Sequence, residues 1–97
     1  MAEECRIMYK YLTLSEIAKY EPEMRRLKVS TVARSLRGFL TYYKRIGGKP
    51  DKVNDHWRVK RDGFIARHLV QYNRNPTYRR FLALVAWAYR PRAKHRT

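Results

Sequence analysis

Hydrophobic residues recur with helical spacing along most of the chain. The clearest stripe has five apolar positions at i, i+4, i+7, i+8 and i+11, which are Val32, Leu36, Phe39, Leu40 and Tyr43. Ser30 is a suitable N-cap for this helix, and Gly47 and Gly48 supply a glycine stop. The pattern therefore predicts a helix between Ser30 and Gly47.

An earlier helix is predicted to begin after Thr13. Thr13 and Glu16 have the spacing of a capping box, in which the two residues satisfy each other's free backbone N–H groups. Pro22 is predicted to interrupt this helix, because proline lacks the N–H that an internal position donates. Residues 22–28 are expected to resume as a short second turn.

A third helix is predicted after Pro50, with Asp51 or Asn54 as its cap. One face of it collects the residues Trp57, Arg61, Phe64, Ile65, His68, Leu69 and Tyr72. Lys60, Arg67 and Arg74 recur every seven residues, so they are expected to share a different face.

A fourth helix is predicted from Pro76, with Asn75 as its cap, to about Tyr89. From Phe81 onward it is apolar on nearly every side, which is typical of a helix in the middle of a bundle. No stretch alternates like a strand. The sequence therefore predicts an all-α fold, a compact bundle of about four helices in one domain over residues 1–97, with an N-terminal arm over 1–12 and a basic C-terminal tail over 91–97.

The charge is large and uneven. The 97 residues include 23 Lys and Arg against 8 Asp and Glu, a formal net charge of +15. Residues 1–28 hold six bases and five acids, and residues 29–97 hold seventeen bases and three acids, so the two parts carry 6 − 5 = +1 and 17 − 3 = +14. Because such a charge repels itself, a partner that supplies negative charge would stabilise the compact state. The second part is the expected polyanion-binding surface.

Catalytic and metal-binding patterns are weak. Cys5 is the one cysteine, and it has no metal-ligand spacing to His56, His68 or His95. His68 falls on the apolar face of the third predicted helix and is expected to be a hydrogen-bonded core residue. No enzyme activity, cofactor or metal site is predicted. A single cysteine and the lack of a secretory signal pattern favour an intracellular, reducing compartment, either the cytoplasm, the nucleus or nucleoid, or the interior of a virion.

Basic residues alternate with aromatic residues over the second part of the chain. Long cationic side chains suit phosphate contacts, and exposed aromatic rings can stack on unpaired bases. The predicted contacts to nucleic acid, either DNA or RNA, are Arg34, Arg37, Lys44, Arg45, Arg58, Lys60, Arg67, Arg74, Arg79, Arg80, Arg92, Lys94 and Arg96. Arg79 and Arg80 are singled out because the dipole disfavours cations in the first turn of a helix.

Two segments together resemble the repressor-type helix-turn-helix proteins. They are Thr13-Leu14-Ser15-Glu16-Ile17-Ala18 and Val29-Ser30-Thr31-Val32-Ala33-Arg34-Ser35-Leu36. The resemblance implies that the second segment is a helix that enters the major groove, with Ser30, Thr31, Arg34 and Arg37 as its base-reading positions.

Three functions remain open on the sequence. The first is a non-enzymatic nucleic-acid-binding protein that contacts backbone phosphates. The second is a small basic structural subunit of a large ribonucleoprotein or viral assembly, in which protein subunits are partners as well. The third is a binder of an anionic membrane or of an acidic protein. The longest apolar run, Phe81–Tyr89, is too short to span a bilayer, which takes about 20 residues.

Overall fold

Four α-helices and one short 3₁₀ turn make up the described part of the chain. The computed structural model describes residues 9–92, with α1 at Leu14–Leu27, α2 at Phe39–Arg45, α3 at Asp55–Arg74 and α4 at Tyr78–Val85. The 3₁₀ turn at Pro50–Lys52 lies between α2 and α3. No residue from 9 to 92 lies in a strand, so the all-α bundle predicted from the sequence is confirmed.

α4 lies at the centre of the bundle and packs against both α1 and α3. Its residues Leu82, Leu84 and Val85 are fully buried and share one apolar core with Ile17 of α1 and Ile65 of α3. The central position follows from the apolar run Phe81–Val85, which gains free energy when the neighbouring helices cover it.

α1 begins as predicted but is not interrupted. The Thr13 hydroxyl accepts from the Glu16 N–H at 3.2 Å, and the Thr13 N–H donates to the Glu16 carboxylate at 3.3 Å, which completes the capping box. The prediction of a break at Pro22 was wrong, since the helix continues through it to Leu27. Pro22 and Ala18 are both exposed, so water can solvate the Ala18 carbonyl that proline leaves unpaired.

The predicted second helix is correct only in its second half. α2 begins at Phe39, where Gly38 is the N-cap, and Ser30 lies in the left-handed region with φ +58° instead of capping a helix. Phe39, Leu40 and Tyr43 of the predicted stripe are buried, as expected.

The other two members of that stripe face solvent. Val32 is 77% exposed and Leu36 is 87% exposed. They lie in a run of turns over residues 31–37 in which the Leu40 N–H donates to the Ala33 carbonyl at 3.0 Å. Gly38 permits this fold-back, because an added Cβ there would lie 2.1 Å from the Val32 carbonyl oxygen.

The same turns exclude the helix-turn-helix geometry. The segment expected to be the groove-entering helix, residues 29–36, contains no helix, and the segment after Ala18 continues as α1. Ser30, Thr31, Arg34 and Arg37 therefore lie on a loop and not in the first turn of a helix. The resemblance in sequence is not accompanied by the fold that it implies.

The cap of α3 is one of the two predicted residues, whereas both ends of α4 differ from the prediction. Asn54 caps α3, with its side chain accepting from the Trp57 N–H at 2.9 Å, which selects one of the two predicted caps. α4 is capped by Thr77 and not by Asn75, since the Thr77 hydroxyl accepts from the Arg80 N–H at 3.2 Å, whereas Asn75 is the C-cap of α3. α4 also ends at Val85, four residues before Tyr89, and turns follow it.

Part of the expected N-terminal arm belongs to the folded core. Leu12 is buried, and its N–H donates to the Ala88 carbonyl at 2.9 Å. At the other end Pro91 is buried, and the Arg92 carbonyl accepts from the Tyr72 hydroxyl at 3.0 Å. The rest of the predicted basic tail, residues 93–97, lies outside the described residues.

Candidate nucleic-acid interface

Three basic side chains form a row along the outer face of α3, and we call Lys60, Arg67 and Arg74 the cation row. All three are exposed, on the side of the helix opposite the buried residues Ile65 and Tyr72. Seven residues correspond to nearly two helical turns, so successive members are about 10.5 Å apart along the helix axis. The heptad spacing therefore places them on one face, as the sequence predicts.

The cation row has no acidic neighbour among residues 9–92. The ion pairs within this range join Arg25 and Lys44 to Glu21, Arg26 to Glu23 and Arg58 to Asp55. No ion pair with a described residue therefore offsets the charges of the row.

Three predicted phosphate contacts are instead bound within the protein. The Arg34 guanidinium donates to the Val29 carbonyl at 3.1 Å. The Lys44 ammonium lies 2.9 Å from the Glu21 carboxylate, and Glu21 itself is buried. Glu21 therefore holds α2 against α1.

The third is Arg58, whose side chain binds groups at the start of α3. It donates to the Val53 carbonyl at 2.8 Å and to the Asp55 carboxylate at 2.9 Å. These bonds give Arg58 a structural role that its sequence position did not reveal.

Arg79 and Arg80 have a structural explanation as well. Arg79 donates to the carbonyl of Leu27, the last residue of α1, at 2.6 Å. Arg80 donates to the carbonyl of Asn75, the C-cap of α3, at 3.1 Å. Each cation thus lies at the C-terminal end of another helix, where the dipole favours positive charge. This contact offsets their unfavourable place in the first turn of α4.

The remaining predicted contacts are scattered. Arg37, Arg45 and Arg92 are exposed, but they lie on the loop before α2, at the end of α2 and after α4. Lys94 and Arg96 lie outside the described residues. Among the predicted contacts, Lys60, Arg67 and Arg74 lie in a row on one helix. Their side chains make no intramolecular hydrogen bond within residues 9–92.

A column of rings runs from the surface of α3 through the core, and we call it the ring column. It consists, in order, of His68, Phe64, Trp87, Phe39, Tyr43 and Tyr11. The first ring belongs to α3 beside the cation row. The column is therefore a feature of both the core and the candidate interface.

The rings at the α3 end of the column are nearly parallel. His68 and Phe64 have centroids 3.9 Å apart with planes at 17°, and Phe64 and Trp87 are 4.5 Å apart at 17°. The Trp87 and Phe39 planes differ by 8° at 5.1 Å. Parallel rings offset in this way attract each other beyond their hydrophobic burial. Trp87 and Phe64 were expected to be core residues, and both are packed against the core.

Trp57 lies beside the ring column and contacts Lys60 of the cation row. The Lys60 ammonium is 5.7 Å from the centroid of the Trp57 ring, within the range of a cation–π contact. Tyr42 stacks on Trp57 at 5.5 Å and is half-buried. The outer face of α3 thus combines cations with partly exposed rings.

Arg61 closes the other end of the ring column. Its guanidinium carbon lies 3.7 Å from the centroid of the Tyr11 ring, and its side chain is 1% exposed. It donates to four backbone carbonyls, which belong to Tyr9, Lys10, Trp87 and Ala88, at 2.8 to 3.0 Å. Burial lowers the pKa of Arg61, and the nearby Tyr11 phenol opposes that shift.

One feature of the sequence points to this role, since Arg61 falls in the middle of the predicted apolar face of α3. Carbonyl groups replace the carboxylate that a buried cation normally has as its partner. The early end of α4 is part of the same arrangement, because two of the accepting carbonyls lie in the turns after Val85.

Two open depressions lie away from the cation row, next to the N-terminal segment. They measure about 420 and 480 Å³ and share Lys10 and Tyr11 in their linings. Among residues 9–92 no group of three or more His, Cys, Asp or Glu side chains is placed to hold a metal ion. Within the same range, no helix has both the length and the apolar character needed to cross a membrane.

No protein-family model matches the chain, and neither a curated protein nor a solved structure matches it. The chemistry of the α3 surface is therefore the basis for inferring a function.

Proposed function

We propose that this protein binds nucleic acid, without catalysis, through the outer face of α3. The observation that carries the proposal is the cation row, in which Lys60, Arg67 and Arg74 face solvent on one helix with no carboxylate beside them among residues 9–92. From first to last the row spans about 21 Å. A nucleic-acid backbone presents phosphates along such a length, and each phosphate that is neutralised releases condensed counterions.

The overall charge supports the same proposal. A formal net charge of +15 on 97 residues repels itself, and a polyanion relieves that repulsion. Most of the apolar stripe of α2 and α3 is used inside the protein, since Leu40, Tyr43, Ile65 and Tyr72 are buried, and on α3 Val59 and Val70 stay exposed. A basic amphipathic helix that lies on a membrane needs its apolar face for the lipid. Nucleic acid, which needs cations but no apolar face, is therefore the better partner.

The test is a binding titration over a series of salt concentrations with duplex DNA, single-stranded DNA and structured RNA. Two triple variants are compared with the wild type: one replaces Lys60, Arg67 and Arg74 by Gln, and the other replaces Lys10, Lys19 and Arg90, which are exposed and lie off α3. Both remove three positive charges, so they separate the site from the total charge.

The row variant is expected to bind more weakly and to reduce the slope of log affinity against log salt by about 2 to 3, because three phosphate contacts are lost. The control variant is expected to change that slope by less than 1. Wild-type affinity that does not depend on salt contradicts the proposal. Equal losses in the two triple variants contradict the assignment to α3.

A second candidate function is favoured by the loop before α2. Val32 and Leu36 expose 77% and 87% of their surface on a loop that internal hydrogen bonds hold in place. Exposed apolar side chains on an ordered loop suit a protein–protein contact, as in a subunit of a ribonucleoprotein or viral particle. Sedimentation of the protein with equimolar RNA tests this candidate. A particle of defined size that the Val32→Ser, Leu36→Ser variant fails to form supports it, and a one-to-one complex contradicts it.

A further inference from the structure

The ring column has an open end at the surface of α3. His68 stacks on Phe64 through one ring face, at 3.9 Å, and no other ring of residues 9–92 lies against its second face. His68 is half-buried, so the ring is fixed in orientation but reaches solvent. Because His68 follows Phe64 by one helical turn, the second face looks toward the C-terminal end of α3.

In the chain the open end lies between two members of the cation row, which are about 100° to 120° around α3 from His68. Arg67 precedes His68 in the chain, and Arg74 follows less than two turns later; both are exposed. Burial, together with the charge of Arg67, lowers the pKa of His68. At neutral pH the imidazole is therefore a neutral ring and suits stacking on an uncharged aromatic group.

A histidine ring next to arginines is one of the surfaces on which proteins stack unpaired bases. In a duplex both faces of an internal base are already covered by its neighbours. A single-stranded base can add to the column as its next ring, while its flanking phosphates lie within reach of the two arginines.

We propose that His68 is a base-stacking residue, and that the α3 surface binds single-stranded nucleic acid in preference to duplex, with one base on the open face of His68 and adjacent phosphates on Arg67 and Arg74. This inference rests on the proposed function, since it names the class of nucleic acid that the same surface takes.

Three probes of equal length separate base stacking from phosphate binding. They are a single-stranded adenine oligonucleotide of about twelve nucleotides, an abasic oligonucleotide with the same number of phosphates, and the corresponding duplex. The wild type is compared with His68→Ala, which removes the ring, and with His68→Phe, which keeps a ring. Circular dichroism verifies that each variant retains the helical content of the wild type.

The wild type is expected to bind the adenine strand at least about 5-fold more tightly than the abasic strand, the lower end of the range for stacking one base. His68→Ala is expected to reduce that ratio to near 1, and His68→Phe to keep it. The ring protons of His68 are expected to shift upfield in NMR spectra when the adenine strand is added, and not with the abasic strand. This measurement on the wild type stands even if His68→Ala does not fold.

The outcomes distinguish the two proposals. If the abasic strand or the duplex binds the wild type as tightly as the adenine strand, and binding still weakens with salt, base stacking is wrong while phosphate binding stands. If His68→Ala keeps the adenine preference, the assignment to His68 is wrong. If none of the three probes binds in a salt-dependent manner, the proposed function itself fails.

Discussion

The Arg61 side chain donates a hydrogen bond from Nε to the Trp87 carbonyl oxygen at 2.8 Å, so the buried cation holds the backbone of the residue whose ring stacks on Phe64. Arg61 and Trp87 are 26 positions apart in the chain. This bond, with three others from the same guanidinium, fastens α3 to the turn after α4 and to the N-terminal segment.

Replacing Arg61 by Met is expected to lower the free energy of unfolding by at least about 3 kcal/mol, because it leaves buried carbonyls without donors. Arg61→Lys is expected to destabilise as well, since an ammonium has three donors and lacks the planar fork that reaches four carbonyls. Urea denaturation followed by circular dichroism measures both. Arg67→Met, on the exposed face of the same helix, is the control and is expected to stay within about 0.5 kcal/mol of the wild type. A change of that small size in Arg61→Met contradicts the role assigned to it.

Two glycines are expected to respond in opposite directions to alanine. Gly38→Ala places a Cβ 2.1 Å from the Val32 carbonyl oxygen, which is backbone and cannot move aside without disturbing the loop. Gly63→Ala, within α3, meets nothing closer than the Arg67 guanidinium at 3.3 Å, the mobile end of a long side chain. Thermal unfolding is expected to show a lower midpoint temperature for Gly38→Ala. For Gly63→Ala the midpoint is expected to rise, with a gain of up to about 1 kcal/mol in the free energy of unfolding. Equal midpoints contradict the loop geometry.

The exposed loop residues are expected to contribute little to stability. Val32→Ser and Leu36→Ser together are expected to change the free energy of unfolding by no more than about 0.5 kcal/mol, because both side chains are in water in the folded protein. Leu40→Ala, which truncates a buried member of the same apolar stripe, is expected to cost about 2 to 5 kcal/mol. Chemical denaturation compares the two. Similar losses of stability in the two variants would contradict the exposed loop and support the continuous helix that the stripe predicts.

Stability is expected to fall on mild acidification through His68. Its pKa lies below the ordinary value of 6.5, which the unfolded chain retains, because of burial and the charge of Arg67. Between the two pKa values the unfolded state binds the proton and the folded state does not. The contribution of neutral His68 to the free energy of unfolding is therefore fully present above about pH 6.5. It decreases as the pH falls toward the pKa of the folded state.

The measurement is the free energy of unfolding over this pH range for the wild type and for His68→Phe. The difference between the two proteins is expected to grow in favour of His68→Phe as the pH falls. A difference that stays constant with pH contradicts the lowered pKa.

The sequence by itself determined the parts of the fold that depend on neighbours within one or two helical turns. The capping box of Thr13 and Glu16 and the heptad spacing of the cation row are local, so the residues alone predict them, and they narrow the cap of α3 to Asp51 or Asn54. The apolar run that begins at Phe81 likewise predicts the central place of α4, because the interior covers such a run.

Tertiary structure decided what depends on distant groups. Val32 and Leu36 continue an apolar stripe, yet the chain folds back at Gly38, because hydrogen bonds to the Ala33 and Ser35 carbonyls and the burial of Phe39 favour the turns over a continued helix. Which cations are exposed was also a tertiary outcome, since Arg79 reaches a carbonyl 52 positions away and Arg61 reaches others 26 to 52 positions away. A sequence records that a residue is cationic, whereas the partner that neutralises or buries it is set by where the rest of the chain packs.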